Sequence, residues 1–254
     1  MPIAPLSSVN LYYETHGSAY LPPLVLIHGA CETFSISWGK QTPALSQHYH
    51  VIGLDLRGHG QSDSPAGAFR MPQLAEDVRE LVQYLGYHTV HVLGFSGGAS
   101  TAVHFAAKYP HMLHSLILVS NNMDKDEARV RNGFWNPERQ RREEPIWWKT
   151  MEKIHRVDPS VLLGWWEAED RAQPGFTREM LSRITCPALV MGGDRDPIIP
   201  LEQTIKLYHA LANAQLAILP GVGHGAPRRA QLFNLLVLEF LSRIGTRIEE
   251  RPVA

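Results

Sequence analysis

The chain has 254 residues, 24 Lys and Arg against 25 Asp and Glu, a formal net charge of -1 and 44% hydrophobic residues, the composition of an ordinary globular protein. That balance excludes the bulk positive charge that draws proteins to nucleic acid or anionic membranes, and no stretch approaches the roughly 18 apolar residues of a membrane span. Cys31 and Cys186 show neither metal-type spacing nor a disulfide framework, so both are expected as reduced, buried thiols, with no metal and no cofactor implied. The opening residues lack a basic region followed by a long apolar run, which predicts a cytoplasmic protein whose partner is a small-molecule substrate.

In chain order, Val9 to Glu14 alternates loosely and is followed by Gly17, predicting an antiparallel hairpin at a sheet edge. Short apolar runs recur at residues 24–28, 51–55, 90–95, 116–120, 188–191 and 216–219, as strands covered on both faces do. Between them Leu74, Val78, Leu81, Val82 and Leu85 keep a helical period, opened by Pro72 and closed by Gly86. Leu201, Ile205, Tyr208 and Leu211, then Leu232, Phe233, Leu236, Val237, Phe240 and Leu241, give two more helices. Strand and helix alternate, so the fold class is α/β with a mostly parallel sheet.

From about residue 121 to 180 the rhythm breaks. No strand-like run falls there, five of the six tryptophans do, and charges such as Glu138 and Arg142 or Arg139 and Glu143 stand at helical spacing. The expectation is a small helical insertion at 121–180 within a core made of 1–120 and 181–254.

Gly94-Phe95-Ser96-Gly97-Gly98 ends one strand-like run and precedes a helix-like one, Ala99 to Lys108. A serine on such a turn is strained and crowded by residues two places either side, so Gly94 and Gly98 supply room, while Gly97 presents a free N–H at a helix N-terminus. Alone, the pattern would equally describe a tight turn or a phosphate-binding loop. A serine nucleophile needs a base that titrates near neutrality. His224, in the loop Pro220 to Gly225 after the last strand-like run, stands where sites in parallel α/β folds gather. His48, His50, His111, His114, His155 and His209 lie beside helix ends or in polar stretches and are expected to be solvated. The carboxylate that orients the imidazole is sought in Gly193 to Pro200, which offers Asp194 and Asp196; Asp124, past the strand ending at Ser120, is a further candidate.

The order Ser96, Asp196, His224, together with His28-Gly29 after the first parallel strand and Asp55 to Ser62 after the next, resembles the α/β-hydrolase superfamily over nearly the whole chain. The resemblance implies a twisted sheet of about eight strands with helices on both faces and a small helical cap. It implies Asp196 as the acid, Asp194 as a turn residue, the backbone N–H groups of Ala30 and Gly97 as the oxyanion hole, and His28 and His59 as structural. The insertion falls where the family places its cap, so Trp135, Trp147, Trp148 and Trp165 are candidates to line the substrate pocket, or equally to form the lobe's own core. Its length and tryptophan content are similar to the branch of biphenyl hydrolase-like proteins and valacyclovir hydrolase, which often has an acidic residue after the serine where this chain has Gly97, against an α-amino ester preference.

The expected function is serine hydrolysis of a carboxylic ester, thioester or lactone of small to medium, largely apolar character. Cofactor-free haloperoxidases, perhydrolases and lyases share the same triad, and a non-hydrolytic receptor of this fold is a rival of another class. No helix carries paired histidines with an adjacent glutamate, which argues against a metalloenzyme.

Overall fold

The computed structural model describes residues 2–64, 67–127 and 131–244, so 128–130 of the expected insertion and 1, 65–66 and 245–254 of the expected core lie outside the described residues. Eight strands form one sheet: β1 Ile3–Pro5, β2 Asn10–His16, β3 Pro23–Ile27, β4 His50–Leu54, β5 Val90–Phe95, β6 Leu113–Val119, β7 Ala188–Gly193 and β8 Ala214–Leu219, in the order β1-β2-β4-β3-β5-β6-β7-β8. All neighbours from β4 onward are parallel, and β1 and β2 are antiparallel to theirs. Every residue of β4, β5 and β7 is buried, which is why these strands are continuous apolar runs rather than alternating ones.

The antiparallel edge is present, but the hairpin is not the one the sequence suggests. β2 turns back on β1 through residues 6–9, while Gly17 follows β2 at φ +86° and leads to β3, which pairs with β4 and β5. The other edge of β2 is taken by β4, so the strand after Gly17 has no place beside it.

Helices cover both faces: α1 Phe34–Trp38, α2 Thr42–Leu45, α3 Met71–Tyr84 and α4 Gly97–Lys108 in the first half, then α5 Pro137–Glu143, α6 Pro145–Ile154, α7 Pro159–Ala172 and α8 Arg178–Ser182 between β6 and β7, and finally α9 Leu201–Ala210 and α10 Ala230–Ser242. Helices α5, α6 and α7 each begin with proline, whose missing N–H costs nothing in a first turn, and Asn136 and Asp158 cap two of them by accepting from Arg139 N and Ser160 N. In α5 the Arg139–Glu143 pair forms at 2.8 Å, while Arg142 also meets Glu143 rather than Glu138. Trp135, Trp148, Trp166 and Leu162 belong to the same apolar cluster as Val25, Val92 and Leu116 of the sheet, so the inserted helices share the core instead of forming their own.

No helix among the described residues is long and apolar enough to cross a membrane. One buried ion pair ties the loop after β4 to α3: Arg57 Nε donates to Asp77 Oδ2 at 2.6 Å, its Nη2 reaches Asp77 Oδ1 and Ser8 Oγ, and both charged side chains are 3% exposed. Removing one partner strands the other charge in the interior. Asp77→Ala should therefore destabilise the fold by about 3–5 kcal/mol, read by urea denaturation, whereas a change under about 1 kcal/mol would mean that Arg57 finds water.

Candidate active site

Ser96 sits between β5 and α4 at φ 52° and ψ -118°, a backbone conformation that costs a non-glycine residue of order 1–3 kcal/mol. The sheet supplies the restraint: Ser96 N donates to Val119 O at 2.9 Å. The flanking glycines are sterically required. A Cβ on Gly94 would lie 2.4 Å from Gly98 O, and one on Gly98 would lie 2.3 Å from His28 O.

His224 reaches Ser96 from the loop after β8. Its Nε2 is 3.0 Å from Ser96 Oγ and its Nδ1 is 2.9 Å from Asp196 Oδ2. The other carboxylate oxygen of Asp196 accepts from Ile198 N at 2.8 Å and Ile199 N at 2.9 Å, which fixes the side chain. Burial works against the Asp196 carboxylate, but the His224 hydrogen bond and charge and the two backbone donors outweigh it and hold its pKa below the ordinary value. Asp194 does different work, accepting from Gly221 N at 2.6 Å and Val222 N at 3.2 Å and so pinning the loop that carries His224. Asp124 lies apart, bonded to Lys206 and Gln203 on the surface. Ser120, which no sequence pattern singles out, donates to the His224 carbonyl at 3.2 Å from its own positive-φ position, +49°.

Ala30 and Gly97 are adjacent: a Cβ built on Gly97 would be 3.2 Å from Ala30 N and 2.6 Å from Cη2 of Trp166. That contact leaves no room for an acidic side chain after the serine. Ala30 lies in a four-residue turn closed by Glu32 N to Gly29 O at 3.1 Å, with Cys31 at φ +58° in its third position. His28 bonds Gly29 O through Nδ1 at 2.8 Å and accepts from Leu56 N at Nε2 at 2.9 Å, which leaves both ring nitrogens engaged with backbone. His59 bonds Arg57 O at 3.0 Å and accepts the indole N–H of Trp166, also at 3.0 Å. His155, expected to be solvated, is 8% exposed and bridges Gly60 N and Cys31 O, and His50 is likewise buried, against Tyr87. Both lie at element boundaries, where sequence pattern gives no measure of what packs above. Glu32, partly buried in the same turn, bonds Ser37, and burial pushes its carboxyl above the ordinary range despite that bond and the nearby Arg228 and His224. Both cysteines are free thiols, Cys31 buried and Cys186 only partly so.

Ser96, His224 and Ala30 open into a cavity of about 930 Å³ between the sheet ends and the inserted helices. Trp135 and Trp147 line it, with Phe134, Phe176, Met71 and Ile198. Trp148 and Trp165 do not: Trp148 is 6% exposed with its N–H on Glu152, and Trp165 packs on Phe69 and Gly58. Trp166, not among the candidates, lines the cavity in their place. Neighbours on a helix point about 100° apart, and the phase of α7 is given by Leu162, Trp166 and Glu169, all buried. In the sequence Val161 and Trp165 show the same spacing as Leu162 and Trp166, so the phase is set only by what packs on α7.

Two family models match the chain, one described as alpha/beta hydrolase fold over residues 22–146 and one as TAP-like protein over residues 164–244. The chain is 25% identical to the serine hydrolase BPHL of Homo sapiens over 93% of its own length and 84% of that protein. It is 39% identical to a soluble epoxide hydrolase of Corynebacterium sp. (strain C12), but over only 46% of this chain and 40% of that enzyme. Among solved structures, the enol-lactonase of Burkholderia xenovorans LB400 aligns with a TM-score of 0.79 at 25% identity, covering 95% of this chain and all of that one.

Burial holds the His28 and His91 imidazoles at about 3 and pushes those of His59 and His155 below their ordinary value. The unfolded chain takes up these protons near pH 6.5, before the folded one, so stability is full above about pH 7 and is lost as pH falls below 6.5 toward the folded values. Between pH 7.5 and 5.5 His28 and His91 should each cost roughly 1 kcal/mol, with His59 and His155 adding in the same direction, so the melting temperature should fall by at least about 5 °C. Calorimetry at constant ionic strength checks this; a flat melting temperature across that range would show that these rings are not neutral in the folded state.

Proposed function

The chain is a member of the α/β-hydrolase superfamily, and within it we propose a serine hydrolase that cleaves a carboxylic ester, thioester or lactone through an acyl-enzyme. The observation that carries this reading is the hydrogen-bonded series Ser96 Oγ, His224 Nε2, His224 Nδ1, Asp196 Oδ2 standing beside the Ala30 and Gly97 amides. Ser96 Oγ attacks the carbonyl carbon as His224 takes its proton. The new oxyanion is received by the two backbone N–H groups, each such donor contributing about 2.7–4 kcal/mol to the transition state. The C–O bond to the leaving group breaks, and His224 returns the proton to the departing alcohol. Water then attacks the acyl carbon with His224 again as base, releasing the acid and restoring Ser96.

The nucleophile's identity separates this chemistry from epoxide opening. A serine oxygen that opened an epoxide would be left as an ether, which water does not cleave under these conditions, whereas an acyl-serine ester turns over. The lobe of residues 121–180 serves as the cap of the 1–120 and 181–254 core, and its Trp135, Trp147 and Trp166 give the cavity apolar surface beside charged residues of the same lobe such as Arg139 and Glu143, a mixture suited to a small to medium substrate with an apolar part. The two free thiols fit a reducing, cytoplasmic setting.

Fluorophosphonate labelling read by intact mass, followed by a p-nitrophenyl ester series, tests the proposal. Wild type should gain one phosphonyl adduct and prefer short to medium acyl chains, and Ser96→Ala should do neither while keeping its fold. Folded wild type that neither labels nor turns over any ester would sink the reading. Asp196→Asn should lower kcat by about 10⁴-fold, as the same change does in a serine protease, while Asp194→Asn should lower the melting temperature and leave kcat within about 10-fold. The reverse pattern would reassign the acid.

A further inference from the structure

We infer that His155, at the end of α6, is a positioning residue for the oxyanion turn, so that the hole is fully formed only while the inserted helices are seated on the core. The inference rests on the serine-hydrolase reading of the site.

The Gly29-to-Glu32 turn that presents Ala30 N–H is held at its start by the core itself: His28 Nδ1 bonds Gly29 O, and Gly29 N donates to Ser37 Oγ at 3.2 Å. Its far corner is the problem. Cys31 adopts φ +58°, a conformation that favours glycine or asparagine in the third position of a turn, and a cysteine Cβ makes it strained. The carbonyl of this residue receives its hydrogen bond from across the interface, from His155 Nε2 at 3.1 Å and 124 positions along the chain. His155 can serve only as one tautomer. Its Nδ1 accepts from Gly60 N at 2.7 Å, which leaves the proton on Nε2 to be donated to Cys31 O. The neutral imidazole of His155 thus ties two core loops together from the insertion, accepting from one and donating to the other.

A second contact reaches the other oxyanion residue from the same helices. Trp166 of α7 is fixed by its N–H bond to His59 Nε2, and its six-membered ring stands against the Cα of Gly97. Each residue proposed to donate to the oxyanion is therefore backed by one side chain of the insertion, His155 beyond Ala30 and Trp166 on Gly97.

His155→Asn and His155→Gln separate the two bonds. Asparagine places an acceptor where Nδ1 lies but is too short to reach Cys31 O; glutamine reaches as far as Nε2. The measurements are kcat and KM for the best p-nitrophenyl ester, and the affinity of an alkyl boronic acid, whose tetrahedral adduct on Ser96 fills the hole. His155→Asn should lower kcat and boronate affinity together by about 10–100-fold, less than or comparable to losing a donor outright, with KM within about 3-fold, and His155→Gln should stay within about 3-fold of wild type throughout. Unchanged kcat in folded His155→Asn overturns the inference, as does a rise in KM with unchanged boronate affinity, which would make His155 a wall of the pocket. Should the asparagine variant not fold, His155→Gln still decides: more than about 10-fold loss of kcat in a folded protein overturns the inference. Wild type that fails to label or turn over defeats the underlying hydrolase reading instead, and is seen before any variant is made.

Discussion

The left-handed backbone of Ser96 is the constraint from which the rest of the architecture follows. Such a residue persists only where its surroundings over-determine it. Here β5 is buried on both faces and paired with β3 and β6, α4 starts at the next residue, and the two glycines that flank the serine lie against Gly98 O and His28 O. Raising one hydroxyl above the sheet therefore requires a central parallel strand, a helix to follow it and no side chain at two neighbouring positions. Once that hydroxyl is placed at the carboxyl end of β5, the loops that follow β3, β7 and β8 emerge at the same end, and they bring Ala30, Asp196 and His224 to it.

This explains which parts were legible in the sequence. Residues 90–95 and 188–191 are near-continuous apolar runs because both faces of those strands are covered, so they stand out without any alternating pattern. Ser96 and Asp196 lie one and three residues after such strands, while His224 follows by five residues an edge strand, β8, that is only partly covered and stands out by its apolar run alone. The choice between Asp194 and Asp196, only two residues apart, needed the family resemblance; the structure shows each with a separate partner, the loop amides for one and the imidazole for the other.

What was not legible depends on packing between distant segments. Gly17 looked like the turn of a hairpin because the sequence does not say that β4 occupies the edge of β2. Trp147 and Trp148, and Trp165 and Trp166, are adjacent pairs of which one member faces the cavity, and composition alone cannot phase a helix of ten to fourteen residues. His155 ends a helix in a polar stretch, the usual setting of a solvated histidine. Its burial follows from contacts 95 and 124 positions away.

The contact between the inserted helices and the core has an uncommon character that follows from its place. Tryptophan and phenylalanine supply the area, but the interface also covers loops whose backbone groups would otherwise be buried without partners, a cost of about 1–3 kcal/mol each. Apolar side chains cannot satisfy Cys31 O, Gly60 N or Arg57 O, and a permanently charged one would have to be desolvated. Histidine held neutral by burial offers one donor and one acceptor on a rigid ring, and His28, His59 and His155 each use both, meeting backbone groups on every side except at the Trp166 indole. The same choice ties the site to the insertion. The strained loops around Ser96 are met by the insertion at two points, His155 bonded to Cys31 O and Trp166 lining the cavity against Gly97.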